Sequence, residues 1–267
     1  MTSDPTPVVF IHGLWLHSDS WGGWQEFFAA AGYATSAPGW PGTQPSVEEA
    51  RAHPETVAGF GIDAVVDHYA KLIGELPASP ILIGHSFGGL LVQRLLGQGL
   101  GVAGVAIDAA PIRGVLALPV SSLRVASIAL RNPAYRNKRA VSLTRAQFRY
   151  GFGNAVPQAE SDELFDKWSV PSPGRPLFEA ATANLLPRSP ATVDTANAGR
   201  GPLLLIAGGQ DHTVPAAVTR GTLKLYRKSP AVTDYREFGD RGHSLCMDSG
   251  WRDVADAALN WLKTHGH

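Results

Sequence analysis

The 267-residue chain is 44% apolar and 17% charged, a composition typical of a globular protein with a substantial core. Basic and acidic residues are equal at 23 each, so no net charge favours nucleic acid, and a nucleic-acid partner is not expected. Cys246 is the single cysteine, which excludes an internal disulfide and any cysteine-based zinc or iron–sulfur site.

The N-terminal segment lacks the basic start and apolar run of a secretory signal, and no apolar stretch has the length of a membrane span. These features predict a cytoplasmic protein without a membrane span. Its expected partner is a small-molecule substrate, and the expected oligomeric state is a monomer or a homodimer.

Short apolar runs alternate with segments of helical periodicity before residue 109 and again after residue 200. The runs predict buried strands at 8–11, 33–37, 81–83, 102–107, 203–206 and 233–238. Helices are predicted at 21–31 with Ser20 as N-cap, and at 62–76, 90–96, 215–228 and 253–262, whereas 43–54 is expected to be a polar connection. This alternation predicts an α/β fold of about six mostly parallel strands flanked by helices.

Residues 110–200 interrupt the alternation. They contain predicted helices at 121–130, 145–152, 160–168 and 178–186, with proline-rich joints and no predicted buried strand. We therefore predict a helical cap at 110–200, inserted into a core formed by 1–109 and 201–267.

The first half of this insertion is basic. Eight Lys and Arg residues and no Asp or Glu occur between Ala109 and Ala159. The preferred interpretation is a solvated surface, partly balanced by the acidic residues at 160–166. The alternative is a basic rim that attracts anionic substrates or touches a membrane surface.

The segment Gly84-His85-Ser86-Phe87-Gly88 lies between a predicted strand and a predicted helix. A G-x-S-x-G sequence in this context is typical of a nucleophile elbow, with the serine exposed at a sharp turn. Glycine is expected at both ends because a side chain there would collide with the turn. The alternative is an ordinary glycine-rich turn.

A serine nucleophile needs a base that takes its proton and a third group that holds the base. His243 follows the last predicted strand in a glycine-flanked loop, and Asp211 follows the preceding strand after two glycines. Asp108 is the alternative acid. Asp240 is too close to His243 in sequence to orient it, and Asp248 is expected to cap the last helix.

Together with the early His12-Gly13, these motifs resemble an α/β-hydrolase-fold serine esterase over about residues 8–109 and 201–264. The resemblance implies Ser86 as nucleophile, Asp211 as acid and His243 as general base. It also implies an oxyanion hole formed by the backbone N–H groups of Leu14 and Phe87, with Trp15 as the alternative to Leu14. It implies neither a metal nor an organic cofactor.

Several other side chains have expected roles near these motifs. His12 and His85 are expected to make structural hydrogen bonds around the oxyanion loop and the elbow, and Cys246 to fill a small buried space. The candidates for the substrate pocket are aromatic residues: Trp15, Trp40, Phe148 and Trp168.

These features predict a serine hydrolase that cleaves a small or medium apolar carboxylic ester through an acyl-enzyme. Cofactor-free perhydrolase, haloperoxidase-like, lactone, amide and carbon–carbon bond chemistry are alternatives on the same triad. A more distant alternative is a ligand-binding protein without catalysis. In this fold, Ser86 argues against aspartate-nucleophile enzymes, and Ser244 argues against plant-type hydroxynitrile lyases.

Overall fold

The computed structural model describes residues 5–267. Its centre is a six-stranded, all-parallel sheet in the order β2-β1-β3-β4-β7-β8, and β5 pairs with β6 in a separate antiparallel ribbon. The strands are β1 Pro7–Ile11, β2 Ala34–Ser36, β3 Ile81–His85, β4 Ala103–Ile107, β5 Ala140–Val141, β6 Ser172–Pro173, β7 Leu203–Gly208 and β8 Thr233–Phe238. The predicted α/β fold and its six strands are confirmed.

Helices flank the sheet, and every residue of β1, β3, β4 and β7 is buried. The α-helices of residues 5–267 are α1 Gly22–Ala30, α2 Val47–Ala52, α3 Ile62–Gly74, α4 Phe87–Gly97, α5 Val120–Leu130, α6 Ala134–Asn137, α7 Arg145–Gly151, α8 Gln158–Trp168, α9 Arg175–Ala181, α10 Ala216–Tyr226 and α11 Trp251–Thr264. Helix α4 packs on β3 and β4, and α10 packs on β7 and β8. None of the helices in this part of the chain is both long and apolar enough to cross a membrane.

The register of the sheet aligns the carboxyl ends of its central strands. Ile11 of β1 lies beside Gly84 of β3, Gly84 beside Ala106 of β4, and Ala106 beside Leu205 of β7. The loops that follow these strands therefore meet at one edge of the sheet, where parallel α/β sheets place their sites.

Between β4 and β7 the chain forms α5 to α9, as the sequence predicts in outline. Two details differ. The helix predicted at 178–186 is α9, which begins earlier, with Pro176 in its first turn, and ends at Ala181. The short strands β5 and β6, each of two residues, are too brief to give a sequence pattern.

The predicted helix starts contain two errors. Ser20 does not cap α1, because it lies within a 3₁₀ turn over Ser18–Trp21 and its hydroxyl donates to the carbonyl of His17. Asp248 does not directly cap α11; its carboxylate accepts from Gly250 N–H, one residue before the helix, and pairs with Arg241.

The connection expected over 43–54 contains helix α2. Ser46 Oγ accepts the backbone N–H of Glu49 at 3.1 Å and so caps this helix. A Ser followed three residues later by Glu is a helix-start signal, and the polar composition of the segment masked it.

Candidate active site

Backbone strain marks the edge of the sheet at which these loops meet. In residues 5–267, the non-glycine residues with positive φ are Trp15 at 64°, Ser86 at 56° and Asp108 at 42°. Each lies shortly after the carboxyl end of a strand, namely β1, β3 and β4. Positive φ is uncommon outside glycine, and strained residues concentrate at functional sites.

Ser86 occupies the turn between β3 and α4, with φ 56° and ψ −121°. A Cβ at Gly88 would lie 2.0 Å from the carbonyl oxygen of Ile11, and one at Gly84 would lie 2.3 Å from the carbonyl oxygen of Gly88. Both glycines are therefore required by the close approach of backbone to backbone. For Gly84 the collision is with the turn, as predicted, whereas Gly88 meets the end of β1 instead.

His243 is held by Asp211, 32 residues earlier in the chain. The Nδ1–H of His243 donates to Asp211 Oδ2 at 2.6 Å, and both side chains are buried. Asp211 Oδ1 accepts the N–H groups of Thr213 at 2.6 Å and Val214 at 2.8 Å, which fix the carboxylate. Because the carboxylate accepts, the proton of the neutral imidazole lies on Nδ1 and the lone pair on Nε2.

The other nitrogen of this imidazole, Nε2, is buried and has no hydrogen-bond partner within residues 5–267. A buried nitrogen with a free lone pair is uncommon and carries a desolvation cost. The arrangement therefore leaves His243 available to accept a proton.

Asp108, the alternative acid, lies close to the same histidine but is not bonded to it. Its Oδ1 accepts the N–H of Gly208 at 2.7 Å, while its Oδ2 lies 3.8 Å from His243 Nδ1 and has no hydrogen-bond partner among the described residues. Burial, followed by the negative charge of Asp211, raises the pKa of Asp108 well above its usual range. The raised pKa favours the neutral carboxylic acid at Asp108, whereas Asp211 is the acid that bonds His243.

The candidate oxyanion loop, residues 12–15, follows β1 and lies against the candidate nucleophile. A Cβ at Gly13 would lie 3.3 Å from Ser86 Oγ. Within residues 5–267 the N–H groups of Leu14 and Phe87 have no acceptor, and Phe87 is the first residue of α4, where intrahelical acceptors are lacking. The N–H of Trp15 donates instead to Ser172 Oγ at 2.5 Å. Leu14, rather than Trp15, therefore has a free donor.

His12 makes the structural hydrogen bonds expected of it. Its Nδ1–H donates to the carbonyl oxygen of Gly13 at 2.9 Å, and its Nε2 accepts the N–H of Trp40 at 3.3 Å. Burial lowers the pKa of His12 to about 4, so the ring stays neutral. These bonds fix the shape of the oxyanion loop.

The expectation for His85 is wrong. Both of its ring nitrogens are buried without a hydrogen-bond partner within residues 5–267. Its ring packs against that of His243, with the centroids 4.5 Å apart. Burial, and then the neighbouring His243, lowers the pKa of His85, so it contacts the candidate base as a neutral ring.

A small cavity of about 20 Å³ adjoins the candidate oxyanion loop. Trp40, one of the four candidate pocket residues, lines it, together with His12 and Gly13. The sequence does not indicate the other walls, because they come together from segments distant in the chain. They are Leu16, Thr43, Gln44, Ala50, 56–57 and 170–173.

The other three candidate pocket residues do not line this cavity. Trp15 donates its Nε1–H to the carbonyl of Val141, and Phe148 stacks on Phe152, whose ring meets the His243 ring at 4.8 Å. Trp15 and Phe148 therefore pack near the candidate site without lining the cavity. Trp168 lines a separate groove beside Cys246. Burial raises the pKa of Cys246, so this residue is a neutral buried thiol, as expected.

Among residues 5–267, three side chains have potential metal-binding atoms within 4.8 Å of one another: His85, Asp108 and His243. A metal requires deprotonated ligands. The neutral Asp108 carboxyl and the Nδ1 bond of His243 to Asp211 make this set a poor fit for a metal ion.

Comparison with known proteins places these features in a family. The sequence model of the alpha/beta hydrolase family matches residues 8–257. No sequence among curated proteins matches the chain.

Solved structures resemble the chain over almost its whole length. A monoacylglycerol lipase from Paleococcus ferrophilus is 23% identical with a TM-score of 0.64, over 98% of this chain and 96% of the other. A methylesterase from Arabidopsis is 18% identical with a TM-score of 0.64, over 97% and 98%. An extracellular alpha/beta-hydrolase from a Paenibacillus species is 18% identical with a TM-score of 0.67, over 96% and 98%. At these low identities the likeness shows a shared fold alone.

Proposed function

The chain belongs to the alpha/beta hydrolase family, and on that premise we propose that it is a serine hydrolase that cleaves a carboxylic ester through an acyl-enzyme on Ser86. The observation that carries the proposal is the geometry around Ser86. Its strained turn lies beside two backbone N–H groups without acceptors, those of Leu14 and Phe87, and His243 is held through Nδ1 by Asp211 with Nε2 free.

In the acylation step, Ser86 Oγ attacks the ester carbonyl carbon while His243 Nε2 takes the hydroxyl proton. The negative charge that forms on the carbonyl oxygen is stabilised by the N–H groups of Leu14 and Phe87; one such donor is worth about a hundredfold or more in rate. The bond to the alkoxy oxygen then breaks, and the leaving alcohol takes the proton from His243 Nε2.

In the second step, water attacks the acyl carbon and gives its proton to the same Nε2. Collapse of the intermediate breaks the bond to Ser86 Oγ, which recovers its proton as the carboxylic acid leaves. Throughout, Asp211 keeps the imidazole in the tautomer that accepts at Nε2 and stabilises its charged form.

The walls of the cavity support an apolar ester as the substrate. They include Leu16, Trp40, Val57 and Val170. The similar structures include a lipase and an esterase by name, which supports an ester as the substrate class.

We assign residues 110–200 the role of a cap over this site. Phe152 packs its ring edge against His243, and Ser172 accepts the N–H of Trp15. The segment 170–173 also forms one wall of the cavity. The cap would thus set the shape of the pocket and exclude bulk water from the reacting atoms.

Hydrolysis of p-nitrophenyl esters from acetyl to palmitoyl tests the proposal. Wild type should turn over the short and medium esters best, and Ser86→Ala should lose that turnover. Ser142→Ala, which removes an exposed hydroxyl of the cap, is the matched control and should keep the wild-type rate. Retention of most of the rate by Ser86→Ala would refute the assignment of the nucleophile.

A further inference from the structure

Large apolar side chains are exposed on one part of the insertion. Within residues 5–267, six of the seven exposed large apolar residues lie between 110 and 200, and Val232 is the seventh. Leu116, Leu118 and Val120 are 79%, 72% and 82% exposed. Isolated exposed apolar residues are ordinary, but a cluster of this kind marks an interaction surface. We call the six the apolar face: Leu116, Leu118, Val120, Leu123, Leu185 and Leu186.

Two hydrogen bonds hold the two segments of the apolar face together. The N–H of Gly114 donates to Asn184 Oδ1 at 2.7 Å, and Asn184 Nδ2–H donates to the carbonyl of Val115 at 2.8 Å. Leu116 directly follows Val115, and Leu185 directly follows Asn184, so both leucines are adjacent to these hydrogen bonds. The two segments therefore lie side by side on the surface.

Helix α5 is anchored by its opposite side. Val125 and Ala129 are buried in the core, while Val120 and Leu123 remain exposed. The helix thus has enough buried contact to stay folded with its apolar N-terminal residues in water. Fold stability gives no reason for leucine and valine at these positions, so an external contact is the better explanation.

Arginine side chains flank the apolar face. Arg113, Arg124 and Arg188 are exposed and form no ion pair within residues 5–267. Neither 109–159 nor 180–193 contains an Asp or Glu residue. The Arg124 guanidinium is held over the ring of Tyr150, 3.9 Å from its centroid.

We propose that the apolar face docks on an anionic phospholipid surface, with its leucine and valine side chains among the acyl chains and the flanking arginines on the phosphates. This combination of exposed hydrocarbon and unpaired positive charge matches the interfacial zone of a bilayer. A protein partner or a second copy with an apolar surface would not by itself require the arginines.

The face is linked to the candidate active site through the backbone. The N–H of Ala110 donates to the carbonyl oxygen of Ser86 at 2.9 Å, and the chain then leads to Leu116 within six residues. Docking of this part of the cap would therefore bring the lipid surface towards the candidate active site. Binding itself does not depend on hydrolysis, so Ser86→Ala should bind vesicles as wild type does.

Vesicle sedimentation tests the proposal, with phosphatidylcholine vesicles and with phosphatidylcholine vesicles that contain phosphatidylglycerol. Wild type should bind the anionic vesicles more tightly, and added salt should weaken that binding. The combined variant Leu116→Ser, Leu118→Ser, Val120→Ser should bind both vesicle types at least tenfold more weakly. Val232→Ser, which changes the exposed apolar residue outside the insertion, is the matched control and should bind normally.

A second combined variant tests the contribution of the arginine charges separately from that of the apolar side chains. Arg113→Gln, Arg124→Gln and Arg188→Gln together should remove the preference for phosphatidylglycerol, at about fivefold per arginine. Circular dichroism should be unchanged in both variants, since all the replaced side chains are exposed. Loss of the Arg124 contact with Tyr150 should lower the melting temperature of the second variant only slightly.

Three results would overturn the proposal. The first is wild-type protein that stays in the supernatant with anionic vesicles, and the second is a Leu116, Leu118, Val120 variant that sediments as wild type does. The third is a wild-type dimer that this variant converts to a monomer without any vesicle binding. That outcome would make the face a contact between copies of the chain.

Discussion

Replacing Asp108 with asparagine should stabilise the protein at neutral pH and leave its ester turnover close to that of wild type. Asparagine matches the neutral carboxylic acid in shape, can accept the N–H of Gly208 through its amide oxygen, and tolerates the positive φ of 42°. The change removes the ionisable group, and with it the free-energy cost of keeping the buried Asp108 protonated at neutral pH.

The size of this effect follows from proton linkage. An aspartate in an unfolded chain has a pKa of about 3.9, whereas burial and the charge of Asp211 raise the pKa of the folded Asp108 well above its usual range. Between those two values the folded state binds one proton more than the unfolded state. The free energy of unfolding therefore falls by about 1.4 kcal/mol for each unit of rising pH. Below about pH 3.9 both states are protonated and the contribution is constant.

This handicap grows as the pH rises above about 3.9 towards the raised pKa of the folded Asp108, and asparagine should remove it. Urea unfolding of wild type and Asp108→Asn at several pH values from about 4 to 8 measures the difference. Other buried groups such as His12 are present in both proteins, so their contributions cancel.

Asp256→Asn, which changes an exposed residue of α11, is the control and should show a small difference that does not depend on pH. A stability difference for Asp108→Asn that is flat with pH, or a loss of stability, would refute the neutral state of Asp108. A thousandfold fall in kcat/KM would refute the choice of acid, because it would make Asp108 the group that orients His243.

Three further substitutions test separate parts of the site. Asp211→Asn should lower kcat for p-nitrophenyl butyrate by about a thousandfold or more, because the wrong imidazole tautomer is favoured; a fall below tenfold would contradict this role. Gly88→Ala should fail to fold or lose several kcal/mol of stability in urea unfolding, since its Cβ would lie 2.0 Å from the Ile11 carbonyl oxygen. Ser172→Ala frees the N–H of Trp15, and kcat/KM should fall by about tenfold with little change in thermal stability; an unchanged rate would contradict a positioning role for this bond.

The fold is predictable from the sequence because its signals are local. Each central strand is buried on both faces, so its sequence is a short continuous apolar run rather than an alternation of apolar and polar residues. Such a run is easily recognised. The elbow is recognisable in part for the same reason, since a Cβ at Gly84 would collide with Gly88 of the same turn. The collision that demands Gly88 itself is with Ile11, at the end of the neighbouring β1. Helix α2 was missed although Ser46 and Glu49 signal its start.

The details of the site depend on tertiary contacts, which leave no local pattern. Asp108 and Asp211 follow adjacent parallel strands, so the sequence places both near His243. Only the structure separates a bonded distance of 2.6 Å from one of 3.8 Å. Likewise, Ser172 reaches Trp15 across 157 residues, and this contact leaves the N–H of Leu14 as the free donor of the loop.

Labelling of the nucleophile tests the central claim most directly. Wild type treated with a fluorophosphonate should gain one adduct, found by mass spectrometry on the peptide that contains Ser86, as Oγ bonds to phosphorus and fluoride leaves. His243→Ala should label far more slowly and Ser86→Ala not at all, while exposed Ser142 stays unmodified in every variant. An adduct on another residue, or ester turnover that persists in Ser86→Ala without an adduct at position 86, would contradict the account.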